Sequence, residues 1–411
     1  MVKLCTGRSS HRDAEAAAEE AIGEALRGAK NAVFALVFST DQYDAATLAA
    51  AVSRRLGDLP WAGCCTAGVF TAEGLLIQGL VVGILYSKDL RVGLGVAGPL
   101  SHNPKQAGQT AMSQALRRLD AAGPARHRAY IVLPDALTCN AAEAVRGAAQ
   151  EAGTSGAWSG GGAGDNLRFI KTAQFAEGRA WNDHVVIAAL DSARPMGLGI
   201  EHGWTAYGKQ VMVTMSRGSV AIELDYQKAV GVYQALARER GYELTRETFG
   251  AFAMLHPLGI PQADGGHIIR DPLKIEDDGS LAFAGEMPRG SFVRLMDGDQ
   301  KRLLDAAESA AAQARRAVKG ALGGAIVFDC VSRSLILQKG MREELDRFQA
   351  ALGTRVPLIG CLAFGEVGAP AARMPQFQNK TSVVLALPGR RAPFTPVRPS
   401  PHTKKRKFST A

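Results

Sequence analysis

The chain has 411 residues, 46% of them hydrophobic and 21% charged, which is enough apolar mass for two or three packed domains and excludes global disorder. Its formal net charge of +9 raises nucleic acid and anionic membranes as partners. Yet seven of the 48 basic residues and none of the 39 acidic ones lie from Arg390 onward, which leaves 41 against 39 and a near-neutral body.

The N-terminus turns polar before an apolar run of signal-peptide length, so a soluble, cytoplasmic protein without membrane insertion is expected. Asp13 to Arg27 has helical periodicity, with Ser9 or Ser10 as candidate caps. Asn31–Phe38 is a continuous apolar run, as in a strand buried on both faces. A helix at Ala45–Leu56 follows, then the turn Gly63-Cys-Cys-Thr-Ala-Gly68 and strands at Leu75–Leu85 and Leu90–Val96. A helix at Lys105–Ala122, a strand at Ala129–Leu133 and a helix at Asn140–Ala152 complete an α/β pattern with covered sheet faces.

Residues 153–165 hold six glycines in thirteen positions and are expected to be irregular. Strands are predicted at Arg168–Phe175, His184–Leu190, Met196–His202, Val211–Met215 and Val220–Leu224, too close together for intervening helices. Helices at Gln227–Arg238, Arg246–Met254, Gln300–Lys319 and Met341–Leu352 alternate with strands at Ala325–Phe328, Val356–Leu362 and Ser382–Leu387. The predicted fold class is mixed α/β in two domains, an N-terminal α/β sandwich over 10–225 after a short extension at 1–9, and a second mixed domain over 226–388. Residues 389–411 read as a disordered, basic, proline-rich tail. Its Lys404-Lys405-Arg406-Lys407 cluster is the one segment suited to nucleic acid.

Chemical motifs are sparse. Six cysteines without a CxxC pair give neither a disulfide framework nor a zinc site, and no GxSxG, HExxH or EF-hand pattern occurs. An enzyme is therefore not expected. Cys65, followed by Thr66, has no local base to activate it, and a small buried residue at a strand end is the plainer reading. Gly161, Gly162, Gly164 and Asp165 lie in a run whose freed N–H groups suit an anion or, equally, a tight crossover. His202 and Trp204 pair imidazole with an aromatic platform. Glu366 lies past a strand's carboxyl end, where open α/β sheets bind ligands, and Arg270 and Arg333 flank strands as carboxylate partners.

Taken in order, these stretches resemble the FIST family, with its FIST N-terminal and FIST C domains, over about residues 10–388. Gly63–Gly68 looks like the family's Gly-Cys-Ser-Thr-Ala-Gly turn with Cys65 at the serine, and Gly160–Asp165 like its Gly-Gly-x-Ala-Gly-Asp element. His202-Gly-Trp204, Glu223-Leu-Asp225, His256-Pro-Leu-Gly259, Phe328-Asp-Cys330, Gly365-Glu-Val-Gly368 and Asn379-Lys-Thr381 follow. The resemblance implies a sensor in bacterial signal transduction that binds a small molecule such as an amino acid. Without an output domain, it would act on a separate histidine kinase or cyclic-dinucleotide enzyme. The expected ligand contacts are Gly161, Gly162, Gly164, Asp165, His202, Trp204, Arg270 and Glu366, with Cys65, Thr66 and Arg333 secondary. No cofactor is expected. The alternatives are a haem-based nitric-oxide sensor with His184 or His202 as axial ligand, and a scaffold without ligand.

Overall fold

The computed structural model describes residues 1–27, 31–124, 126–138 and 140–390. One topology occurs in it three times. The first copy runs β1 (Lys3–Ser9), α1 (Ala14–Ala25), β2 (Ala32–Ser39), α2 (Ala45–Leu56), β3 (Trp61–Cys65), the hairpin β4 (Val69–Thr71) and β5 (Gly74–Leu76), and β6 (Leu80–Tyr86). The second runs β7 (Arg91–Ala97), α3 (Pro104–Asp120), β8 (His127–Pro134), α4 (Ala141–Ala152), β9 (Ala157–Gly161), the hairpin β10 (Gln174–Ala176) and β11 (Arg179–Trp181), and β12 (Val185–Ser192).

The third copy opens with β13 (Gly197–Glu201) and is then interrupted. The insertion comprises β14 (Thr205–Arg217), β15 (Val220–Leu224), β16 (Gln227–Lys228), α5 (Ala229–Glu239), α6 (Phe249–Leu255), β17 (Leu258–Pro261), β18 (His267–Arg270), β19 (Pro272–Ile275), β20 (Leu281–Phe283) and β21 (Phe292–Asp297). The copy resumes with α7 (Gln300–Ala317), β22 (Leu322–Cys330), α8 (Val331–Leu337), α9 (Met341–Leu352), β23 (Leu358–Ala363), the hairpin β24 (Glu366–Ala369) and β25 (Gln376–Gln378), and β26 (Ser382–Pro388).

Each copy builds a sheet whose last strand lies antiparallel between its first and second, with the third parallel to the second: β1-β6-β2-β3, β7-β12-β8-β9 and β13-β26-β22-β23. Each hairpin leaves its own copy. β10–β11 extends the first sheet through β3, β24–β25 the second through β9, and β4–β5 the third through β23. The registers coincide, with Val37 opposite Gly63, Val132 opposite Gly160 and Val327 opposite Gly360. A Cβ on those glycines would stand 1.7, 2.0 and 2.6 Å from the facing valine carbonyl oxygen, so the parallel pair closes only over glycine.

The inner faces of the three sheets share one core of Phe34, Phe38, Ile131, Leu133, Ile326, Phe328 and Leu385. The outer faces are covered by α1 and α2, α3 and α4, and α7 and α9. These helices are alanine-rich because they lie almost on the strands. A Cβ at Gly7, Gly95 or Gly199 would come within 2.0, 1.9 and 1.8 Å of the carbonyl oxygens of Ala21, Ala111 and Ala310. Polar caps start the helices, with Asp13, Asp44, Asn103, Asn140 and Asp299 each accepting an N–H of the first turn.

The insertion forms the fourth sheet, β18-β17-β21-β14-β15-β20-β19 with β16 on β15, packed on α5 and α6. It is tied to α4 where Arg146 forks onto both carboxylate oxygens of Glu286 and Asn140 Nδ2 donates to Glu286 Oε2 at 3.0 Å.

The mixed α/β class expected from sequence is what the chain adopts. Three local expectations are corrected. Ala157–Gly161 is a fully buried strand, not irregular, because its glycines serve close packing. Only Gln174–Ala176 of the strand expected at 168–175 forms. Lys3–Ser9 is a strand, and Asp13, not Ser9 or Ser10, caps the first helix. The turn between β15 and β16, at the boundary expected at 225, lies inside the inserted sheet, and β13 before it pairs with β26 after it, so strand pairing runs across that point. The tail lies outside the described residues. Among the described residues no helix is long and apolar enough to cross a membrane.

Candidate functional site

A cleft of about 830 Å³ opens where the carboxyl ends of β8, β22 and β23 meet the inserted sheet. Leu137, Leu167, Met254, Phe283, Phe364 and Phe377 make most of its wall apolar. Polar groups gather at one end. Lys380, 1% exposed, places its Nζ 3.0 Å from Asp271 Oδ2, donates to the Met254 carbonyl at 3.0 Å, and stands 5.4 Å over the Trp204 ring. Ser332 Oγ donates to the same Asp271 oxygen at 2.7 Å, and Asn379 Oδ1 accepts the Asp271 N–H at 3.4 Å. Lys380 has φ +54°, as Asp183 at the equivalent position of the second copy has +59°. A kinked residue two before the last strand thus turns its side chain into the junction.

Arg270 lies beneath this end, 2% exposed. Its guanidinium donates to the carbonyls of Glu286 at 2.7 Å and of Ile269 and Phe377 at 3.0 Å, and among the described residues no carboxylate is within ion-pair distance. Burial lowers its pKa to about 10, against the opposing charge of Glu286. The polar end therefore carries an excess of positive charge.

The other residues expected at a site are placed elsewhere. Gly161, Gly162 and Gly164 line neither this cleft nor the second described below. A Cβ on them would strike Ala363, Ala136 and Phe364, so they are close-packing glycines. Asp165 is 1% exposed and accepts the N–H groups of Phe169, Ile170 and Lys171, closing its own loop. Trp204 is buried under Lys380, its Nε1 donating to the Lys380 carbonyl at 3.4 Å. Arg333 is fully buried between Asp329 and Glu344, so it holds α8 and α9 to β22 and reaches no ligand. Thr66 donates to the Gly68 carbonyl within a buried turn. Burial pushes the Cys65 thiol far up, in keeping with a small buried residue at the end of β3.

Glu366 lies behind the cleft wall. It is fully buried and accepts the Thr381 N–H at 3.1 Å. Burial raises its pKa well above the usual range, and the nearby Asp329 charge adds to this. In the second copy the equivalent hairpin residue is Gln174, which accepts the His184 N–H at 3.4 Å. A glutamine doing the same task marks Glu366 as a neutral scaffold acceptor.

The two histidines expected as haem ligands lie outside the apolar cleft. His202 accepts the Trp204 N–H at Nδ1 (2.9 Å). His184 stacks on Trp181 at 4.8 Å with Nδ1 2.6 Å from the Asn182 carbonyl oxygen, and the apolar cleft is lined by no histidine.

The FIST N domain matches residues 33–227 and the FIST C domain residues 229–369. The chain belongs to the FIST family. FIST domains are sensor domains of signal transduction that bind small ligands, and here the third copy of the repeated topology opens in the FIST N segment and continues through the FIST C segment. No curated protein matches the chain. Among solved structures it is similar to a cyanuric acid hydrolase described as evolutionary innovation by structural concatenation, at 12% identity and TM-score 0.33 over 94% of this chain and 100% of that one. A cyanuric acid hydrolase from A. caulinodans is similar at 11% and 0.30, with the same coverage. At that distance neither informs the site of this FIST chain.

Sequence reasoning missed Lys380, Asp271, Ser332 and the aromatic wall. The available signal is the lysine of Asn379-Lys-Thr381, which stands just before an apolar strand.

Proposed function

We propose that the chain is a sensor that takes a small zwitterion of the amino-acid type into the apolar cleft and passes its occupancy to a separately encoded effector. The observation that carries this reading is the buried Lys380–Asp271 pair in a cavity whose wall is mostly apolar. A ligand carboxylate replaces Asp271 as partner of the Lys380 ammonium, with the Asn379 amide and the underlying Arg270 charge in support. The freed Asp271 carboxylate and Ser332 hydroxyl receive the ligand ammonium, and the aromatic wall receives its side chain.

Two parts of the wall can carry the signal. The β24–β25 hairpin contributes Phe377, and the turn between β14 and β15 contributes Arg217–Ser219 at the rim. A ligand that contacts both favours the arrangement in which they approach, and an effector such as a histidine kinase or cyclic-dinucleotide enzyme reads that arrangement. The test is calorimetry with the twenty amino acids on the wild type, Lys380→Met and Asp271→Asn. Binding by an apolar or aromatic member, weakened at least tenfold in both variants, is expected. Affinity unchanged in both variants, or no binding below millimolar, overturns the reading.

A further inference from the structure

A second cleft, also about 830 Å³, lies between the edges of the second and third sheets, walled by β13, β24–β25 and the β17–β18 hairpin. β25 divides the two clefts. Its Phe377 faces the apolar one, while its neighbours Gln376 and Gln378 face the second. Leu198, Ile200 and Ile268 give an apolar floor.

The Gln378 side chain decides the chemistry. The residue is only 9% exposed, yet among the described residues its amide makes no hydrogen bond to protein, and neither does that of Gln376. Buried amides are ordinarily satisfied, so the Gln378 amide, left open toward a cavity, is set for an outside partner, with the half-buried Gln376 beside it on the same strand face. Little net charge faces them. Burial lowers the pKa of His202 and His267, the Glu201 carboxylate accepts from Gln313 Nε2 at 2.6 Å, and Asp264 at the rim is paired with Arg373. Among the described residues a charged ligand finds no unengaged counter-charge here. A primary amide offers a donor and an acceptor side by side, the complement of a planar edge carrying the same two groups, as glutamine reads adenine.

We infer that this polar cleft is a second binding site, which takes a neutral heterocycle with adjacent donor and acceptor, a purine or pyrimidine base, against Gln378 and Gln376. The base lies flat on the apolar floor, and its edge meets the two amides.

Saturation-transfer NMR on the full chain tests this with adenine, uracil and D-glucose as probes, on the wild type, Gln378→Met, Gln376→Met and Lys380→Met. Circular dichroism establishes that each variant is folded. Transfer to a base that falls at least fivefold in Gln378→Met or Gln376→Met, and persists in Lys380→Met, is the expected result. Transfer to neither base, transfer to glucose alone, or a base signal unchanged in both glutamine variants overturns the assignment. Loss of the base signal in Lys380→Met alone would place the base in the first cleft and likewise overturn it. The amino-acid reading stands or falls on its own ligands and variants.

Discussion

Lys380→Met is the sharpest test of the polar end. Methionine keeps the length and packing of the side chain but removes the ammonium that Asp271 Oδ2 meets at 3.0 Å and that lies 5.4 Å over the Trp204 ring. Breaking a buried pair from one side costs about 3–5 kcal/mol, because the remaining charge stays buried without its partner. Asp271 keeps the Ser332 hydrogen bond at 2.7 Å, which holds the cost at the lower end, and loss of the cation–π contact adds about 1 kcal/mol. A total near 4 kcal/mol is therefore expected. With an unfolding entropy of about 2.1 cal/mol/K per residue, the chain gains roughly 0.9 kcal/mol/K on melting, so Tm should fall by about 4–5 °C. The double variant Lys380→Met/Asp271→Asn removes both charges and should recover more than half of that loss. Scanning calorimetry reads both numbers. A single-variant loss under 1 °C, or a double variant no more stable than the single one, would refute the buried-pair reasoning.

Three further outcomes follow from the geometry. Glu366→Gln should change Tm by less than about 1 °C at pH 4, because Gln174 performs the same task in the second copy. Since the folded pKa of Glu366 is raised, its contribution is full below the unfolded value near 4.3 and is lost as pH rises, so the variant should gain on the wild type in melts from pH 4 to 8. The His202 pKa is lowered to about 4 by burial and by the neighbouring His267 and Arg333 charges, so its share of stability is present above pH 6.5 and lost as pH falls toward 4. That share is roughly 3 kcal/mol, and a His202→Asn variant whose acid destabilisation matches the wild type would contradict it. Finally, residues 1–228 and 229–390 expressed separately should each lack cooperative melting and dispersed NMR signals, because the sheets cross that boundary. A folded isolated half would disprove the interleaving.

Periodicity made most of the fold legible. The helices at 45–56 and 341–352 and the strands at 220–224 and 382–388 fall where apolar spacing puts them, because each buries a defined face. The glycine run at 160–164 misled for a physical reason. Glycine in a buried strand against a carbonyl and glycine in a phosphate loop are the same letter, and only the facing Val132 distinguishes them. The triplication was hidden because what repeats is register, not residue identity: Ser39, Pro134 and Asp329 are equivalent, as are Gln78, Asp183 and Lys380. The site was illegible for the same reason. Lys380, Asp271 and Ser332 come from three separate segments, two of them within the third copy and one within its insertion. Arg333 and Glu366, chosen for their charge, lie wholly inside the body, Arg333 in a buried ion network and Glu366 accepting the Thr381 N–H with its Oε1 unpartnered among the described residues, and neither environment leaves a mark on sequence.

The exchange of hairpins also bears on how the chain is made. Phe70 in β4 pairs with Gly360 in β23, 290 residues downstream. At roughly 5–20 residues per second of synthesis, β4 waits about 15–60 s for its partner. During that time a Val-Phe-Thr edge and the apolar inner face of the third sheet's future neighbour stand open at the ribosome. Nascent chains of this topology are thus natural clients for holdase chaperones. Ribosome stalling between residues 90 and 350 should expose them to aggregation far more than stalling after Ser382, when the last sheet can close.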